Sequence, residues 1–386
     1  MSDLYELVKS RVDQVLPGIV ALRHVLHSEP ELGMDTFATG DRIRAALSGT
    51  WIELREPLVG ADVIGDLRGR GDRRICLRAD VDANTMTESG DPPYKSIYPE
   101  AMHACGHDGH TAILTGAALV LDSLLDRLPV NVRFVFQPGE EMACGGRRMV
   151  ELGACDGCEA AFALHGWPGL PVGAVSTRHG SIFAAGMQFV IRVVGRGCHG
   201  SMPEKGANPI PVASRLVEKL CELHARVNAA DGSVVSVCVF DSGSFANIIP
   251  DTAVIQGTAR FLDAGTGARI RESIEGIVAE TLADTGCASE TEFDGAYELP
   301  VVNSRGGYEL VRKVAQRYLP GGFVEFEKPS MAMEDFAFYL KDRDGAMFVL
   351  GLGENSANLH TACFDFNDDA LAHGITAFCM LALEYA

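Results

Sequence analysis

Between residues 60 and 165 the chain repeats one pattern: a short, almost unbroken apolar run, a helical stretch, then another apolar run. The runs at 63–67, 74–78, 131–136 and 159–164 have strand length, and a long helix over about 109–125 separates the second from the third. Strands this apolar are covered on both faces, and strands joined through helices lie parallel, so the pattern predicts an α/β layer. Leu4, Leu7, Val8, Val12, Val15 and Leu16 recur at helical spacing and predict a helix over 4–27, closed by Pro30. A second helix is expected over 36–47.

The texture changes near Ile182. Strands are expected at 187–194, 233–240, 252–262 and 289–295, with helices at 209–227 and 268–282. That order is βαββαβ, a ferredoxin-like α+β unit. After Pro300 the first texture resumes, with helices at 308–318 and 334–340, a strand at 346–350 and a terminal helix from about 368. The chain therefore divides into 1–181 and 298–386, which share a central, mostly parallel sheet flanked by helices, and a smaller domain inserted at 182–297.

Charge narrows the function. Thirty-three Lys and Arg against 52 Asp and Glu leave a net charge of −19, which repels a phosphate backbone and an anionic membrane surface. No nucleic-acid or membrane partner is expected. No apolar run reaches the ~18–20 residues that a bilayer span needs. Met1-Ser2-Asp3-Leu4-Tyr5-Glu6 lacks the basic patch and apolar stretch of a secretory leader. Eleven cysteines, an odd number without framework spacing, predict a reduced, cytoplasmic protein.

Several expected strands end in residues that chemistry uses. The 74–78 run leads into Asp80-Val81-Asp82, the 131–136 run into Gln137-Pro138-Gly139-Glu140-Glu141, the 159–164 run into His165, and the 346–350 run towards His360. Ligands of open α/β sheets bind outside the carboxyl ends of the strands, so this edge is expected to be an active site. The densest stretch is His103-Ala104-Cys105-Gly106-His107-Asp108-Gly109-His110, with three His, one Cys and one Asp in eight residues. Gly106 permits the sharp backbone path that turns Cys105 and His107 to one metal. Glu140 and Glu141 are adjacent and cannot point the same way in extended backbone. One can bind metal while the other serves as a base. Cys155-x-x-Cys158 has no second pair, and His24 and His27 on the first helix read as structural.

Together the 103–110 string, Arg78-Ala79-Asp80-Val81-Asp82-Ala83, Gln137-Pro138-Gly139-Glu140-Glu141 and Asp365-Phe366-Asn367-Asp368 resemble one group of enzymes. These are the metallo-amidohydrolases that include hippurate hydrolase, N-acyl-amino-acid amidohydrolases and plant auxin-conjugate hydrolases, relatives of aminoacylase and carboxypeptidase G. The resemblance covers nearly the whole chain. It implies a catalytic α/β domain with an inserted lid that serves for dimerisation, hence a homodimer. It implies that Cys105, His107, Glu141, His165 and His360 hold two divalent ions, zinc or manganese, with cobalt or nickel also compatible. Glu140 is then the general base, oriented by Asp82 or Asp80, and His199 the lid histidine that stabilises the oxyanion in a partner's site. Asn247 and Arg260 match positions associated with substrate binding. The implied reaction is hydrolysis of the amide bond of N-acyl amino acids. A di- or aminopeptidase on the same site is the alternative, and a non-catalytic metal-binding protein a more distant one. Departures occur at Asn84-Thr85, where Leu-Pro is usual, at Gly139 for Ala, and at Cys198-His199-Gly200-Ser201 for Gly-His-Ala-Ala. They leave the ligand positions intact and bear on substrate preference.

Overall fold

The computed structural model describes residues 3–141, 145–295 and 298–385. Its contacts divide the chain into two bodies, one of residues 1–182, 301–328 and 335–386, the other of 183–300 and 329–334.

An eight-stranded mixed sheet organises the first body. In spatial order its strands are Glu53–Leu54, Val63–Leu67, Asn131–Gln137, Arg74–Asp80, Ala160–Trp167, Asp344–Gly351, Val175–Thr177 and Phe323–Glu325. The four central strands run parallel, and antiparallel pairs appear towards the edges. Residues such as Ile75, Leu77, Val132, Phe134, Phe162 and Phe348 are wholly buried, as two-sided cover requires. The helix Asp3–Ser28 packs on His107–Ser123, and Leu371–Glu384 packs on both. His107–Ser123 is buried on nearly every face, which explains its run of small apolar residues. A Cβ on Gly109 would stand 2.4 Å from the Phe366 ring, so only glycine lets this helix seat there.

The second body has the expected βαββαβ order: Ala185–Val194, Pro209–Asp231, Val234–Asp241, Thr252–Phe261, Ala264–Leu282 and Ala288–Asp294. Its antiparallel sheet runs Val234–Asp241, Thr252–Phe261, Ala185–Val194, Ala288–Asp294 across, and burial alternates along the two inner strands. One face therefore packs on the two helices, through Val212, Leu216 and Leu220 and through Ile270, Ile274 and Val278. Asn208 and Asp263 cap these helices by accepting the N–H groups of Ile210 and Thr266.

Two differences from the sequence expectation concern segments near the boundaries. Residues 329–334 belong with the inserted body, because the Ala184 N–H donates to the carbonyls of Ser330 and Ala332 at 3.0 and 2.9 Å. The expected far boundary at residue 297 lies outside the described residues. The helix expected over 334–340 shortens to Ala337–Leu340, since Asp335 turns its carboxylate into a buried network and the chain enters through a tight turn. The strands Val175–Thr177, Val301–Asn303 and Phe323–Glu325 and the helix Gly145–Glu151 are additional.

Candidate active site

Parallel register brings the polar strand ends together. Asp80 pairs with Gln137, and His165 stands two residues beyond the pairing of Arg78 with Ala163. Asp82 lies just past the first strand and Glu140–Glu141 just past the second. The 103–107 loop joins them through its own backbone: Gly106 takes φ +85°, and the helix starts at His107. His360 comes from the loop after Asp344–Gly351, at φ +56°, with its N–H donating to the Ala104 carbonyl at 2.8 Å. Left-handed backbone at a non-glycine residue is strained and is held here by the surrounding fold.

The ligand-type atoms of Cys105, His107 and His165 lie within 4.8 Å of one another. So do those of Cys105, Glu141 and His360, and those of His107, Glu140 and Glu141. Cys105 Sγ is 3.3 Å from His165 Nε2, and His360 Nε2 is 3.2 Å from Glu141 Oε1. Cys105, His107, His165 and Glu140 are buried, whereas the His360 side chain is 55% exposed.

Hydrogen bonds orient the imidazoles. His107 Nδ1–H donates to the Asp82 carbonyl and His165 Nδ1–H to the Gly166 carbonyl, both at 2.8 Å. Each ring therefore turns an Nε2 lone pair towards the cluster. His107 Nε2 is buried without a hydrogen-bond partner among the described residues. A thiol, three imidazoles and a carboxylate converging around such an atom fit a transition-metal site.

Of the two aspartates left open by the sequence, Asp82 meets the acidic turn. Its carboxylate accepts the N–H groups of Glu140 and Glu141 at 3.0 and 3.1 Å. Asp80 instead accepts from Arg78 Nη1 at 2.7 Å and His110 Nδ1 at 2.6 Å. His110 Nε2 accepts the Gly166 N–H at 2.8 Å, so His110 is neutral, and the backbone of one residue, Gly166, aligns both it and His165 through its N–H and its carbonyl.

Electrostatics separate the members. Burial pushes the Cys105 thiol up. Burial and the neighbouring His110 hold His165 down at about 3. Burial alone would raise Glu141, but the hydrogen bond from His360 and the charge of His107 hold it at about 2. Hydrogen bonds to Cys105 and Glu141 push His360 up to about 10.

Other expected residues fall outside this cluster. His103 is buried, and burial holds it down at about 3, with neither ring nitrogen hydrogen-bonded among the described residues. His27 Nδ1 lies 2.9 Å from Asp108, which Arg23 also contacts, and His24 lies 2.7 Å from Asp368. Cys155 and Cys158 are buried free thiols beside Cys76.

His199, Asn247 and Arg260 belong to the inserted body. His199 pairs with Ile248 in a two-residue ladder and is exposed, and its Nδ1 accepts the Ser201 N–H at 3.2 Å. The proton therefore sits on Nε2. Asn247 is also exposed, and its carbonyl accepts the Gly200 N–H at 2.8 Å. Arg260 is half-buried on Thr252–Phe261, with Nη1 donating to Thr258 Oγ1 and the Ala259 carbonyl. Sequence reasoning gave no role to His110 or Asp335. His110 stood in the metal string, while nothing local marks Asp335.

Residues 76–384 match peptidase family M20/M25/M40. The chain belongs to this family. It is 34% identical over 375 residues to the hippurate hydrolase of Campylobacter jejuni, covering 94% of this chain and 95% of the relative. It is 31% identical over 376 residues to IAA-amino acid hydrolase ILR1-like 4 of Arabidopsis thaliana, covering 95% and 85%. A solved dinuclear metal binding peptidase of the M20 family from Bacillus subtilis superposes with TM-score 0.86 at 29% identity, covering 97% and 99%. The protein is thus an M20 family hydrolase, with a metal-type donor cluster at the strand ends of its mixed sheet.

Proposed function

We propose that this M20 hydrolase cleaves the amide bond of N-acyl amino acids, of the hippurate or N-acetyl type. One observation carries the reading: Glu140 lies beside the five-residue donor set without being needed to complete either triad that shares Cys105. Cys105, His107, Glu141, His165 and His360 would hold two divalent ions, zinc or manganese, with cobalt or nickel as alternatives. When bound, the ions polarise the acyl carbonyl and acidify a water.

The chain's own residues do the rest. Asp82 anchors the backbone of Glu140 and Glu141. A Glu140 carboxylate oxygen takes a proton from the attacking water and returns it to the leaving amine. His199, with Nε2–H available, donates to the oxyanion. Arg260 pairs with the α-carboxylate of the amino-acid half, and Asn247 holds the substrate beside it. The protein acts as a homodimer through the inserted body, where Met202, Val239, Phe240, Phe245 and Ile248 expose apolar surface. No helix among the described residues is long and apolar enough to cross a membrane. The ten free thiols among those residues support the reading of a cytoplasmic location.

The test strips the protein of metal, restores zinc or manganese separately, and follows amino-acid release. The panel is N-benzoylglycine, several N-acetyl amino acids and matched free dipeptides. Metal-dependent release from the blocked substrates is expected. Release from dipeptides alone moves the protein to the di- and aminopeptidases, the reading favoured by its peptidase structural neighbour. No release from folded, metal-loaded protein leaves an acyl group outside the panel or a site that binds without turning over.

A further inference from the structure

We propose that Asp335 is a positioning residue that clamps the Glu140–Glu141 turn from both sides. The proposal rests on the reading of Glu140 as base and Glu141 as ligand, and it concerns a residue outside the five-residue donor set, with a carboxylate oxygen within 4.8 Å of one of Glu140.

The geometry is specific. Gln137, immediately before the turn, donates from Nε2 to both Asp335 oxygens at 3.0 and 2.8 Å. Gly146, after the turn, donates its N–H to Asp335 Oδ2 at 2.6 Å. Arg78 Nη2 donates to Oδ1 at 2.7 Å, while Arg78 Nε holds Gln137 Oε1 at 2.9 Å. Asp335, Arg78 and Gln137 are each at most 1% exposed. One carboxylate therefore gathers the end of strand Asn131–Gln137, the start of helix Gly145–Glu151 and the guanidinium that also holds Asp80.

Gly146 makes room for the carboxylate, and Gly145 lets the helix start close against the turn. A Cβ on Gly146 would stand 2.7 Å from Asp335 Cγ, and one on Gly145 1.8 Å from the Pro138 carbonyl oxygen. Asp82 meanwhile grips the N–H groups of Glu140 and Glu141 themselves. The two acids are thus fixed at their own backbone by Asp82 and at their flanks by Asp335. A base and a ligand on adjacent residues need this, since a displacement near 1 Å can cost on the order of 10²-fold in rate.

The experiment uses the full-length chain as Asp335→Asn. With N-benzoylglycine, kcat is expected to fall about 10-fold or more while KM stays within about 3-fold. Zinc titration is expected to show the ion that depends on Glu141 weakened and the other retained. Hydrogen exchange of the metal-free protein should rise in peptides spanning 137–147 and not at His165. A lower melting temperature with kcat, zinc binding and local exchange all unchanged would reduce Asp335 to a structural residue and overturn the proposal. Gly146→Ala keeps every charge and pushes directly on the carboxylate. It is expected to show the same pattern, and it carries the test should Asp335→Asn not fold. If the wild-type enzyme hydrolyses no N-acyl amino acid, the functional reading fails, yet zinc titration and exchange still decide this one.

Discussion

The residues assigned to the reaction live under two different conditions. Most of those of the mixed-sheet body, Asp82, Cys105, His107, Glu140 and His165, are buried, with His360 the exposed exception, and neighbours have already chosen the protons of the buried imidazoles: Asp82 and Gly166 set the tautomers of His107 and His165. Two of those of the inserted body stand exposed, His199 on a two-residue ladder and Asn247 just before its partner strand, with one His199 ring nitrogen oriented by Ser201. The first set is preorganised and its chemistry can be read from the chain alone. The second set acquires its energetic weight only when something covers it, because a hydrogen bond in water contributes little and the same bond in a dry site contributes much.

The largest effect expected of this contrast is at Glu140. Glu140→Gln should retain both ions yet lose about 10²–10⁴ in turnover, measured by metal analysis beside steady-state rates. Near-normal activity would remove Glu140 as base. On the exposed side, His199→Ala should lower kcat by about 10²–10³ without touching metal content. If the loss appears in KM instead, His199 binds substrate rather than the oxyanion.

A third experiment reads the buried protons directly. His360 is raised from 6.5 to about 10, so its hydrogen bonds with Cys105 and Glu141 stabilise the metal-free protein below about 6.5 and fade as pH rises through about 10. Glu141, held at about 2, contributes above its ordinary value and loses that contribution as pH falls through about 2. At neutral pH a metal must therefore displace protons from His360 and Cys105, so affinity should climb with pH. Calorimetry in two buffers of different ionisation enthalpy counts the released protons, and zero release would contradict this ligand set. A smaller effect is expected from Arg260→Ala, which should raise KM for N-acyl amino acids and spare uncharged amides. Smallest should be Ser201→Ala, which removes a hydroxyl 2.8 Å from His199 Nδ1 but leaves the backbone donor. A few-fold fall in kcat is expected, and a loss as large as that of His199→Ala would mean the hydroxyl, not the peptide, sets the ring.

What the sequence disclosed depended on distance along the chain. The alternation of apolar runs and helices, the βαββαβ insert and the Cys105-Gly106-His107 turn are local patterns, and all are present in the structure. Asp335 meets Gln137 across 198 residues, and no single-sequence pattern marks such a contact. His103 and His107 look equivalent as letters. Only the turn at Gly106 and the helix start send His107 into the cluster and leave His103 buried beside His27 and Asp108. Strands as short as Val175–Thr177 carry too few residues for a period to register. The helix expected over 334–340 begins three residues late, at Ala337, because Asp335 is taken by tertiary partners.

The position of Asp344–Gly351 in the sheet has a consequence for biosynthesis. It pairs in parallel with Ala160–Trp167, setting Val349 against His165, although the inserted body is translated between them. While the ribosome makes that insert, the strand carrying His165 has an uncovered edge, and His360, 219 residues after Glu141, does not yet exist. An apolar strand edge of this kind is a template for mispairing. The emerging polypeptide thus holds Cys105, His107 and His165 early, and both the cover of that edge and His360 await the last quarter of translation.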